Sequence, residues 1–222
     1  MENHRKDSTI NLAFDMDGVI YSAENFIAGA YETAIKNSGI SLHFPDTDDI
    51  LMQIGKPVTE IFRELFGELS EKQMNVLLSS TRKTICEMIK EDKGSIFDGI
   101  PEIISRLSEQ YSLSVCSNAG IQYIETILEH YKLKQFFNPV LTLETTGAKD
   151  KNELLGTYIH NSNSDASGWI MIGDRSTDLY AAQYNHCSFI GCLWGHGNIE
   201  ELEGSDVIIE NPGSLIKAVK KV

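Results

Sequence analysis

Two aspartates one residue apart, Asp15 and Asp17, stand where the apolar run Leu12-Ala13-Phe14 stops, and Gly18 follows them. Carboxylates this close repel one another unless a cation joins them, and a pocket of oxygen donors alone suits Mg²⁺. The apolar run reads as the end of a buried strand, and in an open parallel α/β sheet ligands bind beyond the carboxyl ends of the strands. Gly18 supplies a turn that lets both side chains aim at one small ligand. Taken alone, the Asp-x-Asp-Gly pattern also fits a polar strand-to-loop junction or part of a calcium loop.

Other polar groups fall at comparable places. Ser117-Asn118-Ala119-Gly120 follows a second apolar run and precedes a helical pattern, which offers a hydroxyl and free backbone N–H groups to an anion. Lys149 and Lys151 come after Thr145-Thr146-Gly147-Ala148 and before another helix, where either could neutralise an anionic ligand. Trp169–Ile172 runs into Gly173-Asp174-Arg175-Ser176-Thr177-Asp178, a second pair of carboxylates at a strand end. Each piece has a purely structural explanation: Ser117 and Asp174 can cap helices, and the lysines can be solvated surface. Their joint occurrence in this order is what points to a site.

The elements that must position these groups follow from periodicity. Beyond Gly94, β-rich runs (Ser112–Cys116, Val140–Leu143, Trp169–Ile172, Cys187–Gly191, Val207–Ile209) alternate with helical patterns (Pro101–Glu109, Ile121–Tyr131, Lys151–His160, Ser176–Tyr184, and one after Pro212). Alternation of this kind predicts a Rossmann-like, doubly wound parallel sheet covered on both faces, an α/β core. Between the first strand and Gly94 only helices are predicted. The first has Ser22 as its cap and Asn37-Ser38-Gly39 as its end, another starts at Pro57 and stops at Gly67, and a third opens with the capping box Ser70-Glu71-Lys72-Gln73. Residues 22–93 therefore read as an all-helical insert in a core made of residues 1–21 and 94–222.

Composition narrows the classes of function. With 222 residues, 41% hydrophobic, the chain can build one substantial core plus a smaller unit. A net charge of −13 argues against a nucleic-acid surface. No apolar run reaches the roughly 18 residues needed to span a membrane, and Met1–Ser8 is a polar tail without an apolar signal core. A cytoplasmic protein is expected. Cys86, Cys116, Cys187 and Cys192 form no Cys-x-x-Cys pair, so reduced thiols are expected. Cys187, Cys192 and His196 could suggest zinc, but two cysteines five positions apart on one strand face opposite sides.

Taken in order, Asp15–Ile20, Val115–Asn118, a lysine at or just before Lys151-Asn152-Glu153-Leu154-Leu155, and Gly173–Asp178 resemble the four motifs of the haloacid dehalogenase-like hydrolase superfamily. The insert resembles that family's helical cap, and the chain looks like its phosphoglycolate phosphatase-like and β-phosphoglucomutase-like branch. Cys192-Leu193-Trp194-Gly195-His196-Gly197 fits that branch too. The resemblance implies a Mg²⁺-dependent phosphatase acting on a small phosphorylated metabolite, as a monomer or homodimer. It implies Asp15 as nucleophile, Asp17 as general acid and then base, and Lys151, the position directly before the helix, as the active-site lysine. Ser117 and Asn118 would bind the phosphoryl group. Mg²⁺ would draw on Asp15, the Asp17 carbonyl and Asp174, with Asp178 as an outer or occasional ligand. In the cap, Ile54-Gly55-Lys56-Pro57 resembles a substrate-facing loop, and Arg82 falls near a position that is often basic. Ser22 and Ala23 depart from the family's usual Asp-Ser, which removes a carboxylate near the hinge. A phosphosugar mutase shares the four motifs, and a non-catalytic binding module shares the fold. A dehalogenase would have no task for Asp17, and the phosphonatase branch replaces it.

Overall fold

The computed structural model describes residues 10–162 and 164–222, so the polar stretch Met1–Ser8 lies outside the described residues. The chain runs β1 (Asn11–Phe14), β2 (Tyr21–Ser22), α1 (Ile27–Ser38), α2 (Thr47–Leu51), α3 (Val58–Phe66), α4 (Glu71–Lys90) and β3 (Ser95–Ile96). It continues through α5 (Ile100–Ser108), β4 (Ser112–Ser117), α6 (Ile121–His130), β5 (Phe137–Thr142), α7 (Leu143–Thr146) and α8 (Lys151–Ser162). Last come β6 (Trp169–Gly173), α9 (Ser176–Tyr184), β7 (Ser188–Cys192), β8 (Val207–Ile209) and α10 (Leu215–Val219).

Six strands form one sheet in the order β5-β4-β1-β6-β7-β8, and every pairing is parallel. From β1 the chain fills one side through β4 and β5, then crosses to fill the other through β6, β7 and β8. The strand order thus reverses around β1, and the crevice beyond its carboxyl end is where such sheets bind ligands. Side chains alternate between faces as the pleat requires. Leu12, Phe14, Val115, Ile170 and Ile172 belong to one apolar cluster, whereas Ala13, Cys116, Trp169 and Met171 belong to the other. Both faces are covered, which is why all four residues of β1 are buried.

The four helices α1 to α4 lie between β2 and β3, and those two strands pair antiparallel as a short ribbon, Tyr21 opposite Ile96 and Ser22 opposite Ser95. The segment thus leaves and rejoins the sheet domain through two adjacent connections. Its apolar side chains, among them Tyr31, Phe62, Leu77 and Ile89, join the same cluster that covers one face of the sheet. The capping box at α4 is present: Ser70 Oγ accepts from the Gln73 N–H at 3.3 Å, and Gln73 Oε1 accepts from the Ser70 N–H at 3.0 Å.

Several local expectations are corrected. Ser22 caps no helix; it pairs in β2, and α1 begins at Ile27 without a side-chain cap. Strands of two residues carry no alternation to read, which hid both arms of the ribbon. β5 begins at Phe137, earlier than the expected Val140, and its Pro139 is tolerated because in an edge strand a missing N–H need cost no ladder bond. Leu143 already belongs to the single turn α7. Cys187 precedes β7 and packs on one apolar cluster, while Cys192 is buried in the other, so the two thiols do lie on opposite faces.

Candidate active site

The first functional side chain is placed by the sheet itself. Just past β1, the Asp15 N–H still donates to the Ile172 carbonyl of β6 at 2.9 Å, which carries the ladder one residue beyond the strand and points the carboxylate into the crevice. Asp15 is 2% exposed. Its Oδ1 accepts from the Met16 N–H at 2.7 Å, and its Oδ2 lies 3.0 Å from Lys151 Nζ. The turn that follows needs Gly18: its φ is +80°, and a Cβ there would fall 2.1 Å from Asp174 Oδ2.

Asp174 follows β6 and is fully buried. One of its oxygens, Oδ2, accepts from the His196 N–H at 2.6 Å. The other, Oδ1, has no hydrogen-bond partner among the described residues. Gly195, beside it, leaves room that a Cβ would close, since one would fall 2.3 Å from Asp174 Oδ2 and 2.5 Å from the Gly18 carbonyl. Asp178, in the first turn of α9, uses Oδ2 to accept from the N–H groups of Asp174 at 3.1 Å and Arg175 at 3.0 Å, and Oδ1 to hold Lys151 Nζ at 2.5 Å.

Asp15, Asp174 and Asp178 each bring a carboxylate oxygen to within 4.8 Å of the others. This is the donor set for a hard cation: oxygen only, buried, with one acceptor left unused. Burial, with Asp178 and Asp15 adding to it, pushes the Asp174 carboxyl up to about 8. Burial likewise raises Asp178, to about 6, against the opposing pull of Lys151. Burial by itself would lower the Lys151 ammonium, but the carboxylates of Asp15 and Asp178 outweigh it and hold that group above its usual range. Lys149, by contrast, is an exposed surface residue 3.7 Å from Glu153. Of the two candidate lysines, the fold brings Lys151 to Asp15.

The Asp17 carboxylate stands apart from this cluster. Its Oδ1 accepts from the Tyr123 hydroxyl at 2.5 Å, and it faces a cavity beneath the four inserted helices. Burial pushes it up to about 7, with the Tyr123 hydrogen bond pulling the other way and Asp15 adding to the rise. Of the side chains expected to bind substrate, Ser117 is buried at the end of β4, and its Oγ accepts the Ala119 N–H at 3.3 Å. Asn118 Nδ2 reaches across to the Gly55 carbonyl at 2.9 Å. Lys56 and Arg82 both border the cavity, but Lys56 is held by Glu64 at 2.7 Å and Arg82 by Glu144 at 3.4 Å.

Sequence reasoning missed three contributors. Tyr123 carried only the signal of lying in the helix that follows the Ser117 loop. His196 supplies a backbone N–H to Asp174 and sets its Nδ1 2.9 Å from Glu24. Thr81, 2% exposed, borders the cavity with a hydroxyl that has no partner among the described residues.

Comparison with known proteins identifies the family. Residues 12–192 match the model of the haloacid dehalogenase-like hydrolase family. A 5'-nucleotidase of Pseudomonas aeruginosa is 26% identical, with 86% of each chain covered. A phosphoglycolate phosphatase of Agrobacterium fabrum is also 26% identical, over 93% of this chain and 90% of that one. Among solved structures, that of a predicted phosphatase from Clostridium acetobutylicum superposes with a TM-score of 0.81 at 23% identity, covering 96% of this chain and 99% of the other. The chain belongs to the haloacid dehalogenase-like hydrolase family, in its phosphoglycolate phosphatase-like branch.

Proposed function

We propose that this phosphatase hydrolyses a small phosphomonoester with the help of Mg²⁺, through an aspartyl-phosphate formed on Asp15. The observation that carries the reading is the buried cluster in which Asp15 faces Lys151 at 3.0 Å while Asp174 Oδ1 is left without a partner. Asp15, Asp174 and the Asp17 carbonyl would hold the cation. Asp178, with both oxygens already engaged by Lys151 and by two backbone N–H groups, orients the lysine and the loop. When bound, Mg²⁺ masks the negative charge of the phosphoryl oxygens, which would otherwise repel a carboxylate nucleophile.

In the first step an Asp15 oxygen forms a bond to phosphorus while the bond from phosphorus to the ester oxygen breaks. The carboxyl of Asp17, raised by burial to about 7, still carries protons near neutral pH and gives one to the departing alcohol. In the second step Asp17 takes a proton from water, the water oxygen attacks phosphorus, and Asp15 leaves as a carboxylate with release of inorganic phosphate. Lys151 balances the charge on Asp15 throughout, and Ser117 with the N–H groups that follow it receives the phosphoryl oxygens.

The helices of residues 22–93 are read as a cap that opens and closes on the β2–β3 ribbon. In support, the cap touches the core domain through the Asn118 bond to Gly55, an Arg175 bond to the Ile54 carbonyl at 3.4 Å and the Arg82–Glu144 pair. Closure would keep bulk water from the phosphoenzyme. Four free thiols and a strongly acidic surface suit action in a reducing cytoplasm. Among the described residues no helix is long and apolar enough to cross a membrane. The test is direct: EDTA should abolish phosphate release from simple phosphate esters and Mg²⁺ should restore it, whereas full turnover by metal-stripped enzyme contradicts the reading.

A further inference from the structure

The cavity that Asp17 faces is walled by α1 to α4 of the cap and by the start of α6. Its volume is about 120 Å³. Ile27, Ile50, Ile54, Val58, Ile61 and Ile85 supply an aliphatic wall, with Tyr31 and Leu78 beside them. A polyhydroxylated leaving group would lose its water here and find few partners in return, at a cost for each unpaired hydroxyl. An anionic leaving group would also fare badly, because the two cations at the border, Lys56 and Arg82, already face Glu64 and Glu144. Besides Asp17 itself, the lining side chain left with a fully buried and unpartnered polar atom, among the described residues, is Thr81, through its hydroxyl.

From this lining we infer that the substrate is the phosphate ester of a compact, mostly apolar alcohol, the size of one aromatic ring or a branched chain of about five or six carbons, with at most one hydrogen-bonding atom for Thr81. The size follows from volume: an engineered apolar cavity of roughly 150 Å³ accepts benzene. The position follows from continuity, since the same cavity ends at Asp17, which would protonate the ester oxygen of whatever fills it. This inference rests on the phosphatase reading and adds the chemistry of the leaving group. It also separates the enzyme from a sugar mutase, which would need hydrogen-bonding groups for a sugar in two orientations.

The experiment measures kcat/KM with Mg²⁺ for acetyl phosphate, benzyl phosphate, 3-methylbutyl phosphate, glycerol 1-phosphate and phosphoglycolate. Acetyl phosphate is activated and needs little from the cavity, so its hydrolysis, lost in Asp15→Asn, reports on the phosphatase reading alone. With that established, the benzyl and 3-methylbutyl esters should exceed the glycerol and glycolate esters at least tenfold. Equal or higher values for the glycerol or glycolate ester would overturn the inference and leave the phosphatase reading standing. Val58→Asp puts a charge in the lining at the first residue of α3, where a helix start tolerates an acidic side chain. It should lower the benzyl-to-glycerol ratio at least tenfold; an unchanged ratio in the folded variant would show that this cavity does not hold the leaving group. Thr81→Val, close in shape, should leave benzyl phosphate favoured over glycerol 1-phosphate, and loss of that preference would contradict an apolar fit.

Discussion

Tyr123 donates its hydroxyl to Asp17 Oδ1 across 2.5 Å, joining the helix after the Ser117 loop to the carboxyl assigned to proton transfer. With Oδ1 engaged, Oδ2 is the oxygen that can carry a proton toward a departing alcohol. Tyr123→Phe keeps the ring and removes the donor. Hydrogen bonds to charged groups are worth about 1.5 to 3 kcal/mol, so kcat on an alkyl phosphate should fall about 10- to 100-fold. An activated aryl phosphate, which needs little protonation, should lose much less. Equal losses on both substrates would mean that Tyr123 does not serve the proton-transfer step.

The acidic cluster makes stability depend on pH in a definite direction. Burial raises Asp17, Asp174 and Asp178 to about 7, 8 and 6, so each binds its proton more tightly folded than unfolded. Their contribution is fully present below the ordinary carboxyl range near pH 4 and is lost as pH climbs through the folded values. In EDTA the Tm should therefore fall between about pH 5 and about pH 8, and Mg²⁺ should raise it more at the upper end. Asp174→Asn should flatten the slope and shrink the Mg²⁺ effect. A Tm in EDTA that climbs over this window would contradict the account.

Lys151 and Lys149 offer a comparison within one segment. Lys151→Met leaves Asp15 and Asp178 buried without their cation, a change that typically costs about 3 to 5 kcal/mol of stability. It should also lower kcat by about 10² to 10³, the usual loss when a preorganised electrostatic partner is removed. Lys149→Met, on the surface, should stay within about twofold of wild type in kcat. Urea denaturation and steady-state kinetics on both variants check this; similar losses in the two would mean that the lysine is wrongly assigned.

The bond from Asn118 to the Gly55 carbonyl ties the loop after β4 to the loop before α3. A neutral hydrogen bond is worth about 1 kcal/mol net, so Asn118→Ala should raise KM about fivefold through weaker closure. Unchanged KM would show that this clasp does not contribute to substrate retention.

The frame and the acid cluster were legible because they rest on strong local signals. An apolar run that ends in Asp-x-Asp-Gly, and another that ends in Gly-Asp, each mark a strand end, and parallel packing puts those ends side by side. The ribbon of Tyr21–Ser22 with Ser95–Ile96 was not legible, since two-residue strands have no period and their partners are far apart in the chain. Tyr123 and Thr81 were hidden for another reason: each occupies a helix position that also suits packing, and only the tertiary arrangement turns it toward Asp17 or the cavity. The surroundings of Lys56 and Arg82 were equally closed to sequence, because Lys56 meets Glu64 only as the loop folds back on the helix α3 that follows it, and Glu144 lies far along the chain in α7.

The central claim is that phosphorus is transferred to Asp15 and that Asp17 only moves protons. Rapid quench followed by intact-protein mass spectrometry on wild type, Asp15→Asn and Asp17→Asn tests it most directly, with an aryl phosphate as donor. Asp17→Asn should accumulate a phosphoenzyme, because its second step lacks the base that activates water, and peptide mapping should place the phosphate on Asp15. Asp15→Asn should show neither product nor phosphoenzyme. A phosphoenzyme in Asp15→Asn, or Asp17→Asn impaired equally on aryl and alkyl esters with nothing trapped, would contradict the assignment.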